Sequence, residues 1–431
     1  MRRLFQVLVI SAGVSSCAVY HASPLPTGPD LAPAAPSGPL SVTEVARLAV
    51  AQSPDLIAER RKAGVSEAQA YEGGLLPDPQ FSASGDHPTV HGLGLVNGYA
   101  LGLSQDLQAL LTEPSRAEGA KAKQAQAKLD LLWAEWQTIQ KAANLYAQKA
   151  FADRKLVLLH EFANVVNAQS QHSQQALTAH NTTIDMAGSD LSAALDISSQ
   201  RDAAARAALT ADSDLKALLG LAPASQLTLT DPVEPASVSR KQLETALSSV
   251  VHTRPDLLAL QAGYNAQNEA VRTAILQQFP AINVGFSRAS DTSNIQSNGL
   301  SVTLNIPIFG STQAKIRTER ATRAQLRAEY QARLDQTSAD AWRIWRALDL
   351  LRTQVARLEE SLPQLRDMAA TGQKAYLAGN LPPATYVLLE TTLSTRESEL
   401  LDFKATQWSD TVALRTLLAM LPIVPNTETP H

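Results

Sequence analysis

Two stretches of strict alternation stand out from an otherwise helical pattern. Ile282, Val284 and Phe286 alternate with Asn283, Gly285 and Ser287, and Leu300, Val302, Leu304, Ile306 and Ile308 alternate with Ser301, Thr303, Asn305 and Pro307. A period of two puts one apolar and one small or polar face on a strand. A weaker version occurs earlier, with Phe81 and Ala83 against Ser82 and Ser84, then Tyr99, Leu101 and Leu103 against Ala100, Gly102 and Ser104. These patterns predict strands over about 79–86, 98–107, 280–288 and 299–308, joined by polar loops at 85–96 and 288–297. Between the strand pairs the pattern is helical. From Pro114 to Pro223 there is no proline, and glycine occurs only at 119, 188 and 220. A reversal near 180–188 divides this tract into a helix of about 65 residues, spanning roughly 100 Å at 1.5 Å per residue, and a returning one of about 35. The plan recurs over 311–379 and 382–421, with Pro363 as an expected kink. In the last helix Tyr386, Leu393, Leu400, Leu414 and Leu421 keep a seven-residue spacing. Leu389, Phe403 and Leu417 lie beside them, and Arg396, Gln407 and Asp410 interrupt the seam. An ordinary antiparallel bundle would also explain such a heptad.

The recurrence is a duplication. Ser53-Pro54-Asp55-Leu56 returns as Arg254-Pro255-Asp256-Leu257. The same shift of about 201 maps Pro79 on Pro280, Asn97-Gly98 on Asn298-Gly299, and Arg116 and Glu118 on Arg317 and Glu319. Later the shift is about 199, mapping Ala176, Ala179 and Asn181 on Ala375, Ala378 and Asn380. Each copy opens with a capping box, Ser41 with Glu44 and Ser239 with Gln242, and starts its second helix on a proline, Pro54 or Pro255. The organisation is a first repeat over 41–221, a proline-bearing linker over 222–238, a second repeat over 239–422 and a tail over 423–431.

Composition narrows the setting. Aromatics are 5%, charged residues 18% and the formal charge −4, which gives nucleic acid no basic surface. The 1–17 stretch reads as a secretory signal, with Arg2 and Arg3 before an apolar run from Leu4 to Val14. Val14-Ser15-Ser16-Cys17 is similar to a bacterial lipobox, which makes Cys17 a lipidation site. Plain cleavage after Ala18 is the other reading, and a proline-rich segment over 18–40 follows. Cys17 is the single cysteine, so disulfides and cysteine metal clusters within the chain are excluded. No run past the signal approaches the roughly 20 apolar residues of a membrane helix, so any membrane crossing uses strands.

Strands in lipid must close, because open edges leave N–H and C=O groups unpaired. Four cannot close a barrel. Three chains supply twelve, whereas the eight of a dimer would give a barrel filled by its own side chains. Two soluble hairpins packed on helices are the alternative.

With these features the chain resembles the TolC-like outer-membrane efflux protein family along nearly all of the mature sequence. Besides the duplicated order of elements, Leu75-Leu76-Pro77-Asp78-Pro79, Leu103-Ser104-Gln105 and the turn Tyr376-Leu377-Ala378-Gly379, followed by Val387-Leu388 and Leu393, carry the resemblance. The leucine-proline-aspartate-proline run is most similar to the heavy-metal-efflux branch. His180, where the repeat has Gly379, departs from the pattern.

The resemblance implies a mainly α fold with a small transmembrane β part: a trimeric 12-stranded β-barrel in the bacterial outer membrane, continued by an α-helical periplasmic tunnel. It also implies docking on a periplasmic adaptor (membrane fusion) protein and an inner-membrane efflux pump, with no cofactor and no enzymatic chemistry. In the family the tunnel tip is narrowed by acidic residues, so Asp185 and then Asp190 are the gate candidates. Thr182, Thr183, Tyr376, Gly379, Asn380 and Leu381 would surround the opening and meet the adaptor. A periplasmic coiled-coil adaptor or scaffold without a pore, and a duct for type I protein secretion, are the competing functions. The histidines, among them His87, His91, His172 and His180, show no ligand spacing, and no catalytic serine motif is present. Trp133 with Trp136 and Trp342 with Trp345 are i, i+3 pairs that suit helix packing.

Overall fold

The computed structural model describes residues 20–32, 36, 38–89, 92, 94–305 and 310–421. The expected signal segment with Cys17, then His91, Ile306 and Ile308, and the 423–431 tail lie outside the described residues.

Two copies of one unit follow each other. The first is α1 (Val42–Gln52), α2 (Pro54–Gly74), β1 (Gln80–Asp86), β2 (Gly98–Asp106), α3 (Leu107–Thr178) and α4 (Ile184–Leu218). The second is α5 (Arg240–Thr253), α6 (Pro255–Leu276), β3 (Ala281–Ser290), β4 (Gln296–Asn305), α7 (Ser311–Leu377) and α8 (Pro383–Leu417). Both capping boxes form, with Ser41 and Ser239 each accepting from the third helical amide. Pro54 and Pro255 occupy the first helical position, where no intrahelical N–H bond is lost. The shift of 199 holds to the residue: α3 and α7 end at Thr178 and Leu377, and α4 and α8 begin at Ile184 and Pro383.

The long helices outrun the expectation. α3 has 72 residues, roughly 110 Å, because the helix begins directly after β2 and runs through Pro114. α7 likewise continues through Pro363 over 67 residues. The leucine seam of α8 stops earlier than its spacing suggests. Leu393 and Leu414 are buried, whereas Leu421 lies past the helix end and is exposed.

Helices are laid side by side as a curtain rather than packed around one centre. Next to the sheet the order is α2–α3–α6–α7, and at the far end it is α4–α3–α8–α7. Alanine makes the close approach possible, with Ala142, Ala143, Ala147, Val45, Leu215 and Val412 sharing one buried cluster at mid-height. There the N-terminal segment is tied by parallel bridges to the end of the first repeat, Ala32 to Leu221, and to the linker, Leu40 to Leu229, and Tyr146 Oη donates to the carbonyl of Thr230 at 2.6 Å. A buried charge joins the repeats. Arg254 donates twice to Asp256, at 2.6 and 2.9 Å, and lies over the Trp133 ring at 4.8 Å. Trp342 and Trp345 meet edge to face at 5.9 Å within a core cluster. Among the described residues no helix is long and apolar enough to cross a membrane.

Candidate functional site: the strand wall and the helical tip

The four strands form one antiparallel sheet in the order β1-β2-β3-β4, so the two hairpins pair through β2 and β3. Register puts Phe81, Leu103, Phe286 and Leu300 in one cross-strand row. Their exposures run from 54 to 83%, so this apolar face has nothing of the chain against it. The neighbouring row on the other face is Ser82, Gly102, Ser287 and Gly299. Each glycine there stands opposite a serine: a β-carbon on Gly102 would lie 2.6 Å from Ser82 Oγ. One face thus suits hydrocarbon and the other water. β1 and β4 are edges with no further partner among the described residues.

The second hairpin corrects the expected loop. Half of the polar stretch 288–297 is strand, and the turn is confined to 291–295. Asp291 makes this tight turn by accepting the amides of Ser293 and Ile295, both at 2.9 Å, with Asn294 in the left-handed region at φ 62°.

The far end of the curtain carries two helical reversals of the same construction. After α3, Asn181 N donates to Ala176 O at 2.8 Å and His180 N to Leu177 O at 3.0 Å. After α7, Asn380 N donates to Ala375 O at 2.8 Å and Gly379 N to Tyr376 O at 2.9 Å. These bonds satisfy the last carbonyls, and each reversal needs one left-handed residue, His180 at φ 59° and Gly379 at φ 73°. The sequence departure at His180 therefore leaves the turn shape unchanged. Thr183 caps α4 by accepting from Met186 N at 3.3 Å, and the Thr182 hydroxyl meets Met186 Sδ at 3.6 Å. Asn380 and Gly379 are exposed, and Leu381 is half-buried.

The two acidic candidates part company. Asp185, in the first turn of α4, is exposed and makes no side-chain hydrogen bond or ion pair among the described residues, while Asp190 is 3% exposed. Its carboxylate accepts from Ser173 Oγ and, at 3.2 Å, from Gln169 Nε2. Gln169 Oε1 in turn accepts from Tyr376 Oη at 2.6 Å. Tyr376 stacks on Tyr386, centroids 4.8 Å apart and planes 8° from parallel, and one turn beyond Tyr386 lies buried Glu390. A polar chain therefore runs from α4 through α3 to α7 and α8. Burial raises the Glu390 carboxyl above the ordinary range against a hydrogen bond from Tyr386, and nearby Glu397 adds to the rise. Burial and that same carboxylate push the Tyr386 phenol up to about 12. Sequence reasoning placed Tyr386 only in the leucine seam and missed Gln169, Ser173 and Glu390. The only signal was a polar side chain recurring at helical spacing among alanines.

Residues 246–420 match the family described as outer membrane efflux protein. No curated protein matches the chain in sequence. CusC, whose crystal structures concern folding and transmembrane channel formation, shares the fold with a TM-score of 0.73 and 17% identity, over 88% of this chain and 91% of its own. The outer membrane protein VceC from Vibrio cholerae gives 0.72 and 16%, over 88% and 96%. The Campylobacter jejuni outer membrane channel CmeC gives 0.70 and 14%, over 90% and 87%. The second repeat therefore matches the outer membrane efflux protein family in sequence, and the described chain shares the fold of the outer-membrane channel structures.

Proposed function

We propose that the chain is one protomer of a trimeric channel in the bacterial outer membrane. It would pass small molecules or metal ions outward from an inner-membrane pump and a periplasmic adaptor. The observation that carries this reading is the sheet, with four strands, an exposed apolar face, a small polar face and two open edges. Such a sheet satisfies its backbone in lipid only if β4 of one protomer pairs with β1 of the next, and three copies give 12 strands. The helical curtain has matching edges. α7 is one edge throughout, and the other is α2 above and α4 below. α7 carries an excess of basic side chains, exposed Arg346 and Arg357 among them, and α4 an excess of acidic ones, exposed Asp196 and Asp202 among them. Opposite charge on edges that must meet favours ring closure.

In this reading the helices form a 12-helix periplasmic tunnel, and Cys17 carries the lipid anchor. Asp185 from three protomers makes an acidic ring at the tip that selects cations. Asp190, held by Ser173 and Gln169, acts with Tyr376 as the brace that keeps the two reversals together. Thr182, Thr183, Gly379, Asn380 and Leu381 are the surface offered to the adaptor. Planar-bilayer recording tests the ring: Asp185→Ala should lower cation preference, and unchanged conductance and selectivity would remove its role. Deletion of the gene followed by profiling of sensitivity to metals, solvents and antibiotics tests export itself. Unchanged sensitivity to all three would count against efflux.

A further inference from the structure

The lipid-facing side of the sheet ends in a charge. Alternation along β3 puts Arg288 on the same face as Ile282, Val284 and Phe286, and pairing sets it between Leu101 of β2 and Asn298 of β4. The row next to it toward the helices is the apolar one through Phe286, and the row beyond it is Tyr99, Ser290 and Gln296. Tyr99 is thus the diagonal neighbour of Arg288 on this face. Both belong to the end of the sheet remote from the helices, where β3 turns into β4. The arginine is exposed, and its side-chain contact is a donation to Gln296 Oε1 at 3.4 Å. Among the described residues no carboxylate pairs with it. Asp291 is committed to the turn amides, and Asp86 alternates with Gly85 onto the opposite face.

An outward arginine is costly at the middle of a bilayer and nearly free at headgroup level. The Arg288 row therefore lies where the apolar belt stops. The fixed anion of that layer is phosphate, which a guanidinium engages with two parallel N–H donors. A tyrosine beside it favours the same layer, with its ring toward hydrocarbon and its hydroxyl toward water.

We propose that Arg288, with Tyr99 and Gln296 beside it, binds the phosphate of an outer-leaflet lipid, one contact per protomer. This rests on the channel reading above. The test uses the full chain purified in detergent, with a bis-phosphorylated lipid A, its dephosphorylated form and inorganic phosphate as probes, read by native mass spectrometry. The wild-type protein should retain the phosphorylated lipid better than the dephosphorylated one. Arg288→Gln should weaken that retention about fivefold, and Arg288→Lys, which keeps the charge but loses the paired donors, should restore only part of it. Equal retention of both lipids by the wild type, no change in Arg288→Gln, or displacement of the lipid by inorganic phosphate at equal concentration would overturn the proposal. The same spectra give the oligomer mass. Loss of the trimer in the wild type would strike the channel reading, whereas an intact trimer indifferent to Arg288→Gln would strike this contact alone.

Discussion

His180 and Gly379 occupy the same place in two copies of one turn, so exchanging their residue types isolates the cost of a left-handed backbone. A β-carbon in that region costs about 1–2 kcal/mol. Replacing it with glycine recovers this cost but frees the unfolded chain by about 0.5–1 kcal/mol. His180→Gly should therefore stabilise the first reversal by about 0.5–1 kcal/mol, a two- to fivefold fall in local opening. Gly379→Ala should destabilise the second by a similar amount. Nothing lies within 4 Å of the β-carbon position at 379, so that loss is conformational rather than steric. Hydrogen exchange read by mass spectrometry on peptides covering 176–187 and 375–387 measures both openings in the assembled protein. Faster exchange in His180→Gly, or slower exchange in Gly379→Ala, would refute the assignment of strain to these two residues.

Other consequences follow from the buried polar groups. Asp190→Ala strands the donors of Ser173 and Gln169, which should cost about 1–3 kcal/mol; exchange in the same tip peptides should rise, and unchanged protection would deny the brace. Arg254→Ala leaves Asp256 buried without its bidentate partner, which should cost about 3–5 kcal/mol in thermal or denaturant unfolding. A near-neutral result would mean that Asp256 finds another cation. The native Glu390 carboxyl holds its proton more tightly than the unfolded chain does. Stability should accordingly fall as pH rises from about the ordinary glutamate value of 4.5 to the raised native one, and stay low above it. Glu390→Gln should remove that fall, and a variant that keeps the wild-type pH slope would contradict the role given to this carboxyl.

Much of the architecture was legible because the residues that set boundaries act locally. Ser41 and Ser239 fix helix starts through their own third amide, prolines 54 and 255 suit a first turn, where no intrahelical N–H bond is lost, and the alternation of Ile282 to Phe286 shows which face is apolar. Length was harder to read. Pro114 and Pro363 look like breaks, yet each removes only one N–H bond from a long helix packed along its neighbours. The 288–297 stretch looks like a loop by polarity, but the Asp291 carboxylate folds it into a turn that polarity does not encode. The tip was legible in its turns and not in its contacts. Tyr376 and Gln169 are distant in sequence and meet only because α3 and α7 flank α8 at the tip. Asp185 and Asp190 look alike in sequence, and their difference comes from a helical face that packing alone determines.

The account stands on a sheet that one chain cannot close. The mass of the full-length protein extracted from membranes in mild detergent, measured by light scattering with the detergent subtracted, tests this most directly. It should be three times the 46.1 kDa of one chain, less any segment removed in processing. A stable, folded particle with the mass of a single chain would contradict it.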